Sequence, residues 1–337
     1  MNNAQKDISC LRQDSNRSSI YVHDLCGRRP TVAMNGKPKE CLTVETGITY
    51  RKGDVYIVTF PKTGTTVLQY MCHLLRTQCA NDCQQFEDIN QVCPHTSSAW
   101  FIGQDPNEDQ VCPPRLFKSH RDLCQVAPFA PEGYVKFIAT IRDPMSTLLS
   151  VFSFGKERKS DSDDLKLVQY ALSRKWSDQY NEGCISTLFD HFETFYRCIP
   201  AENFLLIPFE DLVNEREKWL KLIAEFMAVD TTPAVLKQIA EMTTKEEMLK
   251  NISKFDESWC KFKRAELGRI HPFIGAAASK ITNGHSELFD RSSTTDIYSI
   301  LELNKRLWYE KIEKSSSLTC YEDMRKQVNA HYFPYYP

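Results

Sequence analysis

The sequence predicts a single-domain α/β fold: a central, mostly parallel β-sheet flanked by helices, with a P-loop-like strand–loop–helix near its start. Three observations carry this. Short, continuously apolar or β-branched runs recur between helix-patterned stretches, as buried parallel strands do. The first of these runs ends at a loop, PKTGTT, that leads directly into a helical pattern. The 337 residues, 42% hydrophobic and 26% charged, can bury a sizeable core, yet no tract approaches the roughly 20 apolar residues a membrane helix needs.

Residues 1–50 are polar and punctuated, with NRSS at Asn16–Ser19, GRRP at Gly27–Pro30 and NGKPKE at Asn35–Glu40, and read as a loosely structured arm. The domain proper is placed at 51–337. Val55–Phe60 (VYIVTF) is β-branched and aromatic, stops at Pro61, and is followed by a helix over Thr66–Arg76. Arg115–Ser119 (RLFKS) is the second strand. Tyr134–Ile141 (YVKFIATI) is the third, broken at Asp143-Pro144 before a helix over Ser146–Phe154. Asn203–Phe209 (NFLLIPF) is the fourth, leading into a helix over Glu215–Met227 on which Trp219, Leu222, Ile223, Phe226 and Met227 form one stripe. Strands alternating with helices imply a parallel sheet covered on both faces. Long punctuated segments at 77–114, 156–181 and 251–293 interrupt this framework, and segments of that length act as lids or binding loops when ordered.

Charge and cysteine usage exclude several classes. With 42 Lys and Arg against 44 Asp and Glu the net charge is −2, so no global field favours nucleic acid or an anionic membrane surface. Met1–Asp7 (MNNAQKD) lacks the apolar core of a signal peptide, which points to a cytoplasmic protein. The 13 cysteines are odd in number and contain no CxxC pair. Cys79 and Cys83 would share a face if helical, but no second Cys or His pair stands at zinc spacing. The expectation is no metal, and reduced, mostly buried thiols.

The chemistry is expected in Pro61–Thr66. Backbone N–H groups at a helix N-terminus lack partners and carry the positive end of the dipole, so such a loop is an anion site. Gly64 allows close approach, Lys62 adds a cation, and Thr63, Thr65 and Thr66 add hydroxyls. Lys precedes the glycine here, whereas GxxxxGK[ST] has it following, so an ATPase or kinase reading is weak. The plain alternative is a helix capped by Thr63 or Thr65 with Lys62 in solvent.

Further clusters give the loop a context. Arg115–His120 (RLFKSH), Ile141–Ser150 (IRDPMSTLLS), Phe204–Leu212 (FLLIPFEDL) and Met242–Met248 (MTTKEEM), together with PKTGTT and in this order, resemble the cytosolic sulfotransferase family. That resemblance implies transfer of a sulfonate from 3′-phosphoadenosine 5′-phosphosulfate (PAPS) to a hydroxyl or amine of a small-molecule acceptor, without metal. It assigns the 5′-phosphosulfate to the loop with Lys62, Thr63, Gly64, Thr65 and Thr66, a cofactor contact on the adenine side to Val67, and the 3′-phosphate to Arg142 and Ser150. Thr243 is a further nucleotide contact. Lys62, Lys118 and His120 become catalytic, with His120 as general base, because an unperturbed imidazole titrates near neutral pH. Sulfonyl transfer depends on positioning and electrostatics, and a sulfonate carries less charge than a terminal phosphate, so lysines and backbone donors suffice.

The bland readings stand beside these. His120 can be a satisfied strand-end histidine, Arg142 a surface ion pair with Asp143, Ser150 a back-bonded helix serine, and Thr243 the cap of a helix with Glu246 three residues on. His73, His95 and His191 have no partners at informative spacing and read as structural.

Several positions depart from the family pattern. Val67 and Lys245 stand where aromatic residues are usual, and Phe209 where Tyr is common. The late R-K-G-x-x-G segment is replaced by Lys280–His285 (KITNGH), and the C-terminal dimer motif is missing, which leaves a homodimer possible but unsupported. These changes motivate an alternative, a non-catalytic nucleotide-binding relative. The acceptor pocket is expected from the interrupting segments, with Phe86, Trp100, Phe101, Phe154, Trp176, Phe255, Trp259 and Phe262 near it.

Overall fold

A computed structural model describes residues 20–22, 25, 47–127, 133–147, 149–151, 185–269, 306, 310 and 320–334. Strands β1 (Val55–Val58), β2 (Leu116–Ser119), β3 (Lys136–Ile141) and β4 (Phe204–Pro208) make one sheet in the order β2-β1-β3-β4. Every pairing is parallel: Val55 faces Leu116 on one side and Lys136 on the other, and Ile138 faces Leu205. Both faces of such a sheet are covered, which is why these strands read as continuous apolar runs. All their residues are buried except Lys136, whose stem lies in the sheet while its ammonium sits 5.7 Å from the Phe226 ring.

The four predicted strands are all present, each a residue or two shorter than its apolar run. β1 stops before Thr59, where the loop begins, and Tyr134 belongs to a turn with Gly133 at φ +66°, not to β3. Helix α1 spans Thr65–Thr77 and ends where Gln78, at φ 50°, returns its amide to Leu74 and Leu75 carbonyls. The same left-handed exit puts Cys79 at φ 58° outside the helix, and Cys83 falls in the 3₁₀ turn Asp82–Gln84, so the two do not share a helical face. Nine described cysteines are free thiols, five of them buried, and no metal-binding group of His, Cys, Asp and Glu occurs among the described residues.

Helix α1 is buried nearly all round, polar residues included. Two of those polar side chains, His73 and Arg76, are held by the segment that follows. His73 Nε2 donates to Cys83 O at 2.9 Å, while Arg76 donates to Val92 O at 2.6 Å, Gln110 Oε1 at 2.6 Å and Pro114 O at 2.9 Å. Segment 77–114 is therefore stapled to α1. Phe86 belongs to the core, edge-on to Tyr70 and His73, and Phe255 is fully buried against Tyr70. Of the aromatics expected around an acceptor pocket, these two are structural, because a loop folded over a core needs its own apolar anchors. Trp100, Phe101 and Phe262 are exposed; Phe154 and Trp176 lie outside the described residues.

Beyond β3, residues 144–147 and 149–151 are helical. Asp143 caps this stretch by accepting from Ser146 N at 2.8 Å, with Pro144 at the first helical position. Helix α2 (Ile185–Cys198) buries Leu188, Phe192 and Phe195 and packs on β4. Helix α3 (Arg216–Met227) buries Trp219, Leu220, Ile223, Ala224 and Met227, whereas Leu222 and Phe226 are only partly covered, so the apolar stripe is rotated from the one predicted. Helix α4 (Pro233–Met242) packs with α3 and α1. The connections β1 to β2 and β3 to β4 run in opposite directions across the sheet, and the right-handed rule for such crossovers assigns α1 and α2 to opposite faces.

Helix α5 (Tyr321–Tyr332) closes the far edge. Tyr332 accepts from Leu206 N at 3.1 Å, and Asp211 receives Arg325 Nε at 2.7 Å and Asn329 Nδ2 at 2.6 Å. Asp54 and Arg115 form a bidentate pair, 2.9 and 2.6 Å, with both side chains buried. Of the N-terminal arm, only 20–22, 25 and 47–50 lie within the described residues. There Val22 and Ile48 are fully buried, and Val22 N donates to Asn203 Oδ1 at 2.9 Å. No described helix is long and apolar enough to cross a membrane.

Candidate active site

The strand order reverses between β1 and β3: from β1 the chain moves outward to β2, then returns to the other side for β3 and β4. Such a switch point leaves a crevice beyond the strands' carboxyl ends, where open α/β sheets bind ligands. The PKTGTT loop leaves β1 on one side of it, and Arg142 leaves β3 on the other.

The loop is held by its own hydroxyls. Thr63, fully buried, donates to Phe60 O at 2.8 Å and so accepts from Thr140 Oγ1 at 2.9 Å. Thr59 and Thr65 hydroxyls meet at 2.6 Å. These side chains fix the loop's shape; Thr66 and Val67 are partly exposed, and Val67 packs against the core. Gly64 sits at φ +104°, and a Cβ there would fall 2.2 Å from Phe209 Cδ2, so both conformation and space require glycine. Lys62 is also left-handed, at φ 70°. No side chain caps α1 and no acidic residue stands in its first turn. The start of α1 thus presents amides and a positive dipole end suited to an anion, and neither Thr63 nor Thr65 serves as the cap.

Lys118 lies on β2 and His120 is the residue just beyond it. Lys118 is buried at the register position of Ile57. His120 Nδ1 lies 2.8 Å from Thr59 O. A carbonyl only accepts, so Nδ1 carries the proton and Nε2 keeps the lone pair of the neutral ring. Burial, the Lys118 charge and the neighbouring His95 hold the His120 imidazole well below its ordinary range, so it is neutral at physiological pH. His95 was expected to be structural, but its ring centroid lies 5.3 Å from that of His120. Its neighbour comes from a non-local pairing, so nothing in the local sequence flags it.

Arg142 donates from Nη1 to Lys62 O at 3.0 Å and lies with its guanidinium 4.8 Å from the Phe209 ring centroid. It is not a surface pair with Asp143. Burial pulls its pKa down while Glu210 and Asp143 oppose that. Glu210 links this end to α5: it accepts from Asp143 N at 3.0 Å and from the Tyr321 hydroxyl. Ser150, on the helix that starts after Asp143, is buried.

Thr243 is buried at the end of α4. Its hydroxyl donates to Ile239 O at 2.7 Å, and the cap of the next helix, Lys245–Lys250, is Thr244, which accepts from Glu247 N at 3.3 Å. The capping arrangement in MTTKEEM is therefore one residue later than expected. Lys245 is exposed, and KITNGH lies outside the described residues.

A parallel sheet with an uncapped glycine loop at its switch point, and with a neutral histidine and the cations Lys62, Lys118 and Arg142 on the adjoining strand ends, defines an α/β fold with an anion-binding loop. A family profile for the sulfotransferase domain matches residues 52–269, and the chain belongs to that family. Sulfotransferase 4A1 of Homo sapiens is 25% identical over 194 residues, which cover 57% of this chain and 65% of that protein. The amine sulfotransferase of Oryctolagus cuniculus is 24% identical over 254 residues, covering 72% and 79%. Among solved structures, retinol dehydratase in a complex with retinol and PAP shares the fold with a TM-score of 0.53 at 15% identity, over 77% of this chain and 83% of that one. Mouse sulfotransferase SULT7A1 complexed with PAP gives 0.50 at 16%, over 86% and 93%.

Proposed function

We propose that this protein moves a sulfonate from PAPS to a hydroxyl or amine of a small-molecule acceptor, in the cytoplasm, through a domain extending over 51–337. The observation that carries the reading is the hydrogen bond from His120 Nδ1 to Thr59 O, 2.8 Å, because it attaches the base to the strand end that opens the anion loop. In this reading Lys62 and the amides of Gly64, Thr65 and Thr66 hold the phosphosulfate, and Lys62 offsets charge on the departing phosphate. Lys118 polarises the sulfonate, and His120 Nε2 takes the acceptor's proton. Arg142 and Ser150 hold the 3′-phosphate, with Phe209 beneath the guanidinium, while Val67 and Thr243 border the nucleotide. Thr63 acts through its backbone, since its hydroxyl is used within the loop. This set of cations and amides needs no metal.

Transfer of radiolabelled sulfonate from PAPS to a panel of phenols, steroids, aliphatic alcohols and amines tests the reading. Wild type is expected to label at least one class, and His120→Ala to abolish labelling while PAP still binds by calorimetry. The partly exposed Val67, in place of an aromatic surface for adenine, favours the second reading, a non-catalytic nucleotide binder. Tight PAP binding without transfer to any acceptor would select it.

A further inference from the structure

Pro94 and His95 run along the outer edge of β2. Lys118 N donates to Pro94 O at 2.9 Å and Thr96 N donates to Lys118 O at 2.8 Å, which makes His95 the parallel register partner of Lys118. Register partners project to the same face, and so do residues two apart on a strand. His95, Lys118 and His120 therefore share one face. The two imidazoles meet edge to face, at 69° between ring planes. His95 is itself oriented, because Ser97 N donates to its Nδ1 at 3.2 Å, leaving the proton of the neutral ring on Nε2.

One hydrogen bond to Thr59 O sets the tautomer of His120 but leaves the ring able to tip about that contact. A second support is needed to hold Nε2 towards an acceptor. We propose that His95 is that support: a positioning residue whose ring, with the Thr59 carbonyl, holds the His120 imidazole in the orientation and tautomer of a general base. This rests on the reading of His120 as the base. The groups facing His120 are Lys118 from its own strand, His95 from the edge segment, His191 from α2 and the Thr59 carbonyl from the loop. None of them is a carboxylate; the Thr59 carbonyl alone acts to raise the His120 value, burial and the neighbouring Lys118, His95 and His191 outweigh it, and a ring that excludes water from this side keeps the base neutral.

The test uses the full-length protein with His95→Ala, which removes the ring, and His95→Phe, which keeps a ring without titrating. Sulfonate transfer is followed against pH, and the His120 ring nitrogens are followed by NMR. In His95→Ala, kcat is expected to fall about tenfold with the KM for PAPS unchanged. The acid limb of kcat/KM should move up towards 6.5, because both burial and the neighbouring imidazole act to lower the His120 value. The NMR signature of Nδ1–H should give way to a mixed tautomer. His95→Phe should restore kcat to within about threefold of wild type, and with it the tautomer. If both variants keep the wild-type pH profile and tautomer, or lose activity only in step with the folded fraction, His95 positions nothing. The NMR readout does not depend on turnover. A wild type without sulfonate transfer would reject the base reading, while an unchanged His120 tautomer in His95→Ala would reject this one.

Discussion

The guanidinium of Arg142 donates to the backbone carbonyl of Lys62, joining the end of β3 to the loop that follows β1. The two cations proposed to meet opposite ends of one donor molecule are thus held in register by main chain, across the switch point of the sheet.

Arg142→Lys keeps the charge but gives up the planar fork and its stacking on Phe209. PAP should bind about 2 kcal/mol more weakly, roughly thirtyfold, while far-UV circular dichroism stays as in wild type. Calorimetry with PAP decides it, and an unchanged affinity would take Arg142 out of the donor site.

At position 64 both backbone and space oppose a side chain. Gly64→Ala should lower stability by about 2–3 kcal/mol, from left-handed strain plus the encounter with Phe209. Adding Phe209→Ala relieves the second part only, so denaturant titrations of the single and double variants should be clearly non-additive.

His73 makes stability depend on pH. Burial and the Arg76 charge push its imidazole down to about 4, and Arg76 donates to Nδ1 at 3.2 Å, a bond that protonation would remove. The unfolded chain titrates near 6.5 and so binds more protons than the folded one in this window. The free energy of unfolding should therefore fall as pH drops from about 6.5 to about 4, by up to about 3 kcal/mol from this residue. His120 adds a term of the same sign. Urea midpoints measured across this range should flatten in His73→Gln relative to wild type; parallel curves would refute the assignment.

Asp54 and Arg115 test the cost of an orphaned buried charge. Arg115→Met should cost about 3–5 kcal/mol, because it strands the carboxylate, and Arg115→Met with Asp54→Leu should regain most of that. If the double variant is as unstable as the single, packing rather than charge holds this corner.

The strands were legible because each is a short, continuously apolar run between helical patterns, and Pro61 and Asp143-Pro144 punctuate two of them. The core of the site was legible for a related reason: PKTGTT, RLFKSH and IRDP are each contiguous, and parallel strands bring their ends to one edge. What stayed hidden is non-local. His95 meets His120 only through a pairing between a loop and a strand edge, and Phe86 and Phe255 become core through contacts with Tyr70. The misplaced cap, Thr244 rather than Thr243, reflects two adjacent threonines that look alike until backbone angles separate them.

The Tyr321 contact carries a consequence for synthesis. Glu210, whose carboxylate steadies the turn beside Arg142, waits for a hydroxyl made 111 residues later, and Asp211 waits for Arg325. While the ribosome still holds those residues that turn has no buttress. A nascent chain can pair all four strands early and still lack the support beside Arg142, which is completed only when helix α5 folds back.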